Sequence, residues 1–282
     1  MALHQDQAAW MLELEQQALA AAIAKSQAQM HAVTLDETLL EGLDVGQASA
    51  VREVTNAAGM SSVIGLAGTG KSHMLGVARC TWESQGFEVI GAALAGKAAD
   101  GLESGSKIKS QTLHSLLAEL DSGSRVLTEK SVIVLDEAGM VGTRLMSRLI
   151  AHAEVGSKIV LCGDPQQLQS IEAGGLFKGI SDRIGYASLT EIRRQRDEQD
   201  RETIKKLISG EAEEVIQRLE DAGQLRFERD EQVAEQMVND WLGQRDPLNL
   251  GENEAVRRDF MGRIFPFRLH LVFELSHGWW KS

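Results

Sequence analysis

Eight residues constrain this chain more than any other stretch: Gly65-Leu66-Ala67-Gly68-Thr69-Gly70-Lys71-Ser72. They follow the apolar run Val63-Ile64, and the residues after Lys71 have helical spacing. A glycine-rich turn between a strand and a helix lets backbone N–H groups surround phosphate oxygens, and the helix N-terminus adds its positive dipole end. The segment therefore predicts a phosphate-binding loop. The residues expected to contact a nucleotide are Gly65, Gly68, Thr69, Gly70, Lys71 and Ser72.

The last two positions of the loop predict ATP with Mg²⁺ as the ligand. Lys71 would reach the β and γ phosphates, and the Ser72 hydroxyl would coordinate the metal. The alternative is a glycine turn with no phosphate to bind. Four constrained positions match by chance in on the order of 1% of chains of this length, which makes that alternative the weaker one.

Four short apolar runs are each followed by a stretch of helical composition. The runs cover residues 62–67, 87–93, 131–135 and 158–162. Continuous apolar strands separated by helices indicate a parallel sheet covered on both faces. The sequence therefore predicts a doubly wound α/β fold, preceded by a helical preface over residues 1–40, where Ala, Gln, Glu and Leu dominate.

Paired carboxylates, Asp136 and Glu137, end the apolar run Val132-Ile133-Val134-Leu135. In an ATP hydrolase this is the position of an Asp that binds the metal through water and a Glu that activates the attacking water. A solvated turn is the alternative. A P-loop kinase has the substrate hydroxyl as its nucleophile and would not need the second carboxylate.

The run ending at Cys162 leads into Gly163-Asp164-Pro165-Gln166-Gln167-Leu168. Ligands of open parallel sheets lie outside the carboxyl ends of the strands, so Gln167 could sense the γ-phosphate. Gly-Asp-Pro is also an ordinary turn, and that interpretation stays open.

Charge and composition narrow the function classes. A net charge of −12 argues against coating of nucleic acid by bulk attraction, although basic clusters at 97–109 and 193–206 leave room for a local groove. Solvated helix faces are the alternative for both clusters.

The spacing of Cys80 and Cys162 indicates neither a disulfide nor a zinc site, and both are expected to be buried. With no apolar membrane span and no signal peptide, a cytoplasmic protein is expected.

Several segments lie in the order and spacing of a known motif series. The segments are 43–47, 65–72, 95–99, 111–114, 136–140, 163–168 and Leu189-Thr190-Glu191-Ile192-Arg193-Arg194-Gln195. Together they resemble superfamily 1 DNA helicases of the RecD-like branch, in particular the helicase half of TraA-type conjugative relaxases. The resemblance covers residues 42 to about 244 and implies a RecA-like, AAA-type P-loop ATPase.

The resemblance also implies roles for individual residues. Arg194 matches an arginine that touches the γ-phosphate, and would act with Lys71, Glu137 and Gln167 in catalysis. Gln47 matches a glutamine that reads the adenine edge. Lys97, Thr112 and His114 match contacts to single-stranded DNA, which, with the conjugation machinery, is an implied partner. His114 has an equally weighted interpretation as an ordinary helix-starting or packed histidine.

Two departures from the family pattern shape the expected organisation. The chain has a single tyrosine, Tyr186, and scattered histidines, so relaxase nicking chemistry is not expected. Helicase motifs V and VI are absent from residues 245–282, which suggests a truncated or frameshifted product with impaired ATPase activity.

The expected segments are a preface at 1–40, a motor domain at 41–195, a mostly helical segment at 196–244 that leads to an incomplete second motor domain, and an atypical, disorder-favouring tail at 245–282. An ATP-binding interaction module and a P-loop kinase remain as alternative functions.

Overall fold

The computed structural model of this protein describes residues 2–29, 33–66, 68–153, 156–164, 176–189, 203, 206 and 211–221. The chain divides into two compact units, Met1–Glu202 and Thr203–Ser282. Of the sequence predictions, Gln167, Arg194, most of the segment at 196–244 and the tail at 245–282 lie outside the described residues.

A six-stranded sheet, parallel in every strand pair, forms the centre of the first unit. Its strands are β1 (Met60–Gly65), β2 (Glu88–Ala93), β3 (Ser110–Thr112), β4 (Ser131–Leu135), β5 (Lys158–Gly163) and β6 (Ala187–Leu189), in the order β3-β2-β4-β5-β1-β6. The predicted α/β fold is confirmed, and each predicted apolar run overlaps one of the strands. β3 and β6 were not predicted, because three residues carry too little pattern to reveal a strand.

Helices cover both faces of the sheet. The described helices of the first unit are α1 (Ala2–Gln27), α2 (Val45–Val54), α3 (Lys71–Glu83), α4 (Gly96–Ser106), α5 (Leu113–Asp121), α6 (Thr143–His152) and α7 (Leu176–Ile184). Short 3₁₀ turns lie at Glu37–Leu40 and Ala138–Met140, and the second unit contains α8 (Ala212–Asp221). Among the described helices, none is long and apolar enough to cross a membrane.

Side chains of the central strands alternate between two separate cores, because successive residues of a strand point to opposite faces. On β4, Ile133 and Leu135 pack with α1, α5, α6 and α7, whereas Val132 and Val134 pack with α2, α3 and α4. All four side chains are fully buried. This two-sided burial is the physical reason why the predicted strands read as continuous apolar runs.

The N-terminal helix α1 is part of the first core. Ala18 and Ala22 are buried in the same cluster as Met60 of β1, while Trp10 and Leu12 are about half exposed. α1 therefore packs through small residues of its second half.

The two cysteines have different environments. Cys162 is buried in β5, where burial raises the pKa of its thiol. Cys80 is exposed, so the expectation of burial was wrong for it. α3 buries Met74, Leu75, Ala78 and Trp82 on its sheet-facing side, and Cys80 falls on the other side.

Candidate nucleotide and nucleic-acid sites

The predicted phosphate-binding loop joins the end of β1 at Gly65 to the start of α3 at Lys71. Gly68 and Gly70 have φ angles of +84° and +82°, a left-handed backbone that favours glycine. A side chain at Gly70 would also collide with Nε2 of Gln47. The loop is closed by Thr69, whose Oγ1 donates to the Leu66 carbonyl oxygen at 2.8 Å. The local backbone thus has the shape that the glycine spacing predicts.

The ammonium group of Lys71 lies against the backbone of this loop. Its Nζ donates to the carbonyl oxygens of Gly65 at 2.5 Å and Leu66 at 3.0 Å. Ser72, the next residue, is half-buried in the first turn of α3. Both side chains predicted to bind phosphate and metal therefore lie at the carboxyl end of β1.

Asp136 and Glu137 follow β4 directly. The Asp136 N–H donates to the Ala92 carbonyl oxygen at 2.8 Å, which extends the β2–β4 ladder, and Asp136 Oδ1 accepts the Glu137 N–H at 2.9 Å. Glu137 has a φ of +52°, in the left-handed region that costs a non-glycine residue about 1 to 2 kcal/mol. A strained residue at the end of a central strand is typical of functional sites.

The charge of Lys71 is close enough to act on both carboxylates. Burial raises the pKa of Asp136, whereas the hydrogen bond from the Glu137 N–H and the positive charge of Lys71 lower it. Burial and the Asp136 charge raise the pKa of Glu137, again opposed by Lys71. The lysine acts on both carboxylates although β5 separates β1 from β4 in the sheet. The fold therefore assembles the predicted cation and the predicted carboxylate pair.

The segments that leave β4 and β5 pack closely together. A Cβ on Gly163 would lie 2.8 Å from Phe177 Cε1 and 3.2 Å from the Gly139 nitrogen, so only glycine fits there. Asp164 is buried at the end of β5. The chain thus enters the segment that contains Gln167 from a position between the phosphate-binding loop and the carboxylates.

Gln47 is 1% exposed and contacts the phosphate-binding loop directly. Its Nε2 donates to the Thr69 carbonyl oxygen at 3.1 Å, and with Asp44 it forms a capping box at the start of α2. Support of the loop by Gln47 was not predicted. The spacing Asp44-x-x-Gln47 is a signal for the capping box, but no sequence signal indicates which loop the amide contacts.

The three predicted DNA contacts lie at the carboxyl ends of neighbouring strands. Ala93 of β2 pairs with Thr112 of β3, and a Cβ on Gly96 would lie 4.0 Å from Thr112 Cγ2. Lys97 and His114 are exposed, and Thr112 caps α5 by accepting the Ser115 N–H at 3.2 Å. His114 therefore lies in the first turn of α5 and is not packed. The structure brings the three residues to the carboxyl edge of the sheet, and their contact with DNA stays a prediction.

Comparisons with known proteins agree with this architecture. A family described as AAA domain matches residues 42–230, more than half of the chain. The chain is 42% identical over 203 residues to a probable conjugal transfer protein TraA of Sinorhizobium fredii, covering 71% of this chain and 18% of that protein. It is 38% identical over 237 residues to the conjugal transfer protein TraA of Agrobacterium fabrum, covering 83% of this chain and 21% of that protein.

A further relative is the ATP-dependent RecD2 DNA helicase of Deinococcus radiodurans, which is 32% identical over 161 residues, covering 55% of this chain and 22% of that protein. The chain spans about a fifth of the length of these relatives. The resemblance to RecD-like helicases and TraA proteins is confirmed. The match over residues 42–230 shows that the chain belongs to the AAA domain family.

Proposed function

We propose that this chain contains the ATP-binding motor domain of a DNA helicase or translocase of the conjugative-transfer type. The observation that carries the proposal is the placement of two sites on one parallel sheet. Lys71, Asp136 and Glu137 converge at the ends of β1 and β4, while Lys97 and Thr112 lie at the ends of β2 and β3. A motor needs the two sites to be mechanically linked, because a nucleotide-dependent conformational change must alter the affinity for nucleic acid.

The residues at the first site fit Mg·ATP. Backbone N–H groups of the glycine-rich loop and the N-terminus of α3 suit phosphate oxygens, and Lys71 adds a positive charge. The Ser72 hydroxyl and the Asp136 carboxylate are hard oxygen ligands of the kind that Mg²⁺ prefers. A bound Mg²⁺ would neutralise charge that develops on the phosphates.

Glu137 is the residue that we assign to the attacking water. A carboxylate with a raised pKa is a better proton acceptor than an ordinary glutamate, provided that it is ionised at the working pH. Gln167 and Arg194 keep their predicted roles at the γ-phosphate. For the predicted adenine contact, the Gln47 amide has a second N–H and a further acceptor position, and the base must displace part of the packing that leaves this side chain 1% exposed.

Lys97, Thr112 and His114 would hold the backbone of single-stranded DNA. A translocase must bind the phosphodiester backbone of any sequence, and a cation together with hydrogen-bonding groups can do so. The relatives are named for conjugal transfer and for ATP-dependent DNA helicase activity, which supports this substrate class. Contact with the conjugation machinery and a cytoplasmic location stay predictions from the sequence.

The decisive experiment is the rate of ATP hydrolysis by the purified chain in Mg²⁺, with and without a single-stranded oligonucleotide. The proposal predicts that DNA increases turnover and that the chain binds the oligonucleotide at low salt. Lys71→Ala, which removes the loop cation, controls for contaminating ATPases. Binding of Mg·ATP with no affinity for DNA at low salt would contradict a motor and favour an interaction module. Phosphate transfer to a small molecule would instead identify a kinase.

A further inference from the structure

α3 and α4 approach each other closely at two glycines. A Cβ placed on Gly105 would lie 2.7 Å from Ser72 Cβ and 3.3 Å from Ser72 Oγ, the first of which is closer than real Cβ atoms come to a heavy atom. One turn further along α3, a Cβ on Gly76 would lie 3.3 Å from the Ser106 carbonyl oxygen. The end of α4 therefore rests on the first turns of α3.

Hydrogen bonds hold this contact in place. Arg79 Nε donates to the Ser106 carbonyl oxygen at 3.2 Å. Ser106 is 1% exposed, and its hydroxyl donates to the Leu102 carbonyl oxygen at 2.6 Å. Ser72, Gly76 and Arg79 are spaced by four and three residues, so they share one face of α3. The face that α4 covers is thus the one that contains Ser72.

We infer that Gly105 is a positioning residue for the Ser72 hydroxyl, and that its close approach to Ser72 sets the affinity of the nucleotide site for Mg²⁺. The inference rests on the proposed role of Ser72 as a metal ligand. A serine hydroxyl has three staggered χ1 positions, and the Gly105 backbone restricts the space beside it. Mg²⁺ demands near-ideal octahedral geometry at about 2.0 to 2.1 Å, so a small displacement of one ligand is costly.

The inference predicts a specific defect in Gly105→Ala. The added methyl group must displace either Ser72 or the end of α4, because the clash is with a Cβ atom and not with a flexible side-chain end. Changes in groups that orient a metal ligand typically reduce metal affinity about 10- to 100-fold. We expect the ratio of ATP-analogue affinity in Mg²⁺ to that in EDTA to fall at least about tenfold, while the affinity in EDTA changes less than about twofold.

Two glycines provide matched controls. Gly101 is on α4, and a Cβ placed on it would have no atom within 4 Å, so Gly101→Ala changes helix propensity alone. Gly76→Ala strains the same helix contact one turn away from Ser72. Both variants should keep the wild-type ratio. Adding Gly105→Ala to Ser72→Ala should cause no further loss, because Gly105 acts through the missing hydroxyl.

The inference is overturned if Gly105→Ala keeps the wild-type ratio, or if Gly76→Ala lowers the ratio as much. Should Gly105→Ala unfold, Ser72→Thr strains the same contact from the other side, because it keeps the hydroxyl and adds a methyl group on the Cβ that lies against Gly105. This variant must then lower the ratio for the inference to stand. Failure of the proposed function is distinguishable, since it would appear in the wild-type chain itself, either as no Mg²⁺-dependent binding of the analogue or as no affinity for DNA at low salt.

Discussion

Gln47 Nε2 donates a 3.1 Å hydrogen bond to the carbonyl oxygen of Thr69, so one buried amide joins the first turn of α2 to the phosphate-binding loop. The same side chain completes the capping box with Asp44. The predicted adenine contact and the observed loop contact thus fall on one residue.

Gln47→Ala should weaken both the fold and nucleotide selection. Loss of the cap and of a buried hydrogen bond should lower the free energy of unfolding by about 1 to 2 kcal/mol. Loss of the adenine contact should reduce the preference for ATP over GTP, measured as the ratio of the two dissociation constants. If the variant is destabilised but keeps the wild-type ratio, Gln47 supports the loop without reading the base.

Glu137→Gln should retain Mg·ATP binding and lose turnover by about 10² to 10⁴-fold, because an amide cannot accept the proton of the attacking water. Since burial and Asp136 raise the pKa of Glu137, wild-type turnover should fall as the pH drops through that raised pKa. Steady-state ATPase assays across pH test both statements. The exposed Glu41 offers a matched control, and Glu41→Gln should leave the rate unchanged. Unchanged turnover in Glu137→Gln would remove this residue from the mechanism.

Asp136→Asn should stabilise the protein while it impairs metal binding. Burial raises the pKa of Asp136, so the folded state binds more protons than the unfolded state near that pKa and gains stability as the pH falls. At neutral pH the charged carboxylate therefore opposes folding. Asn keeps an acceptor for the Glu137 N–H, so the midpoint of thermal unfolding should rise at pH 7. Asp100→Asn, at an exposed position, should leave it unchanged, and a lower midpoint for Asp136→Asn would contradict the argument.

Because of Lys158, the free energy of unfolding should depend on pH in the alkaline range. Burial lowers its pKa from 10.5 to about 8, with Glu53 opposing this change and Lys25 adding to it. Between these values the unfolded lysine binds more protons than the folded one. The free energy of unfolding should therefore rise with pH across this window, by at most about 1.4 kcal/mol per pH unit. Urea unfolding at several pH values should show a smaller rise for Lys158→Met than for the wild type or for Lys109→Met, at an exposed position.

Lys97→Ala should weaken binding of single-stranded DNA and reduce the slope of log affinity against log salt by about 1, as expected for loss of one phosphate contact. Lys107→Ala is the matched control, because Lys107 is an exposed lysine just beyond the opposite end of α4. Fluorescence anisotropy with a labelled oligonucleotide at several salt concentrations measures both slopes. Equal effects of the two substitutions would indicate general charge attraction instead of a site at the ends of β2 and β3.

The sequence predicted the central strands well because their burial leaves a local signature. Ser131–Leu135 is apolar after its first residue since both of its faces meet a core, and its bounds match the prediction. β3 and β6 left no such signature, because three-residue strands depend on their neighbours in the sheet. The exposure of Cys80 was also missed, since it depends on which side of α3 meets the sheet.

By itself the sequence determined the glycine-rich loop between strand and helix and the carboxylate pair after β4, because these depend on short-range backbone and side-chain chemistry. The candidate DNA contacts came from the resemblance to RecD-like helicases. Only the tertiary structure decided that Lys71 acts on Asp136 and Glu137 across the intervening β5, that Gln47 holds Thr69, and that Gly105 lies against Ser72. Strand order and helix packing bring together residues that are distant along the chain, and no local pattern records those distances.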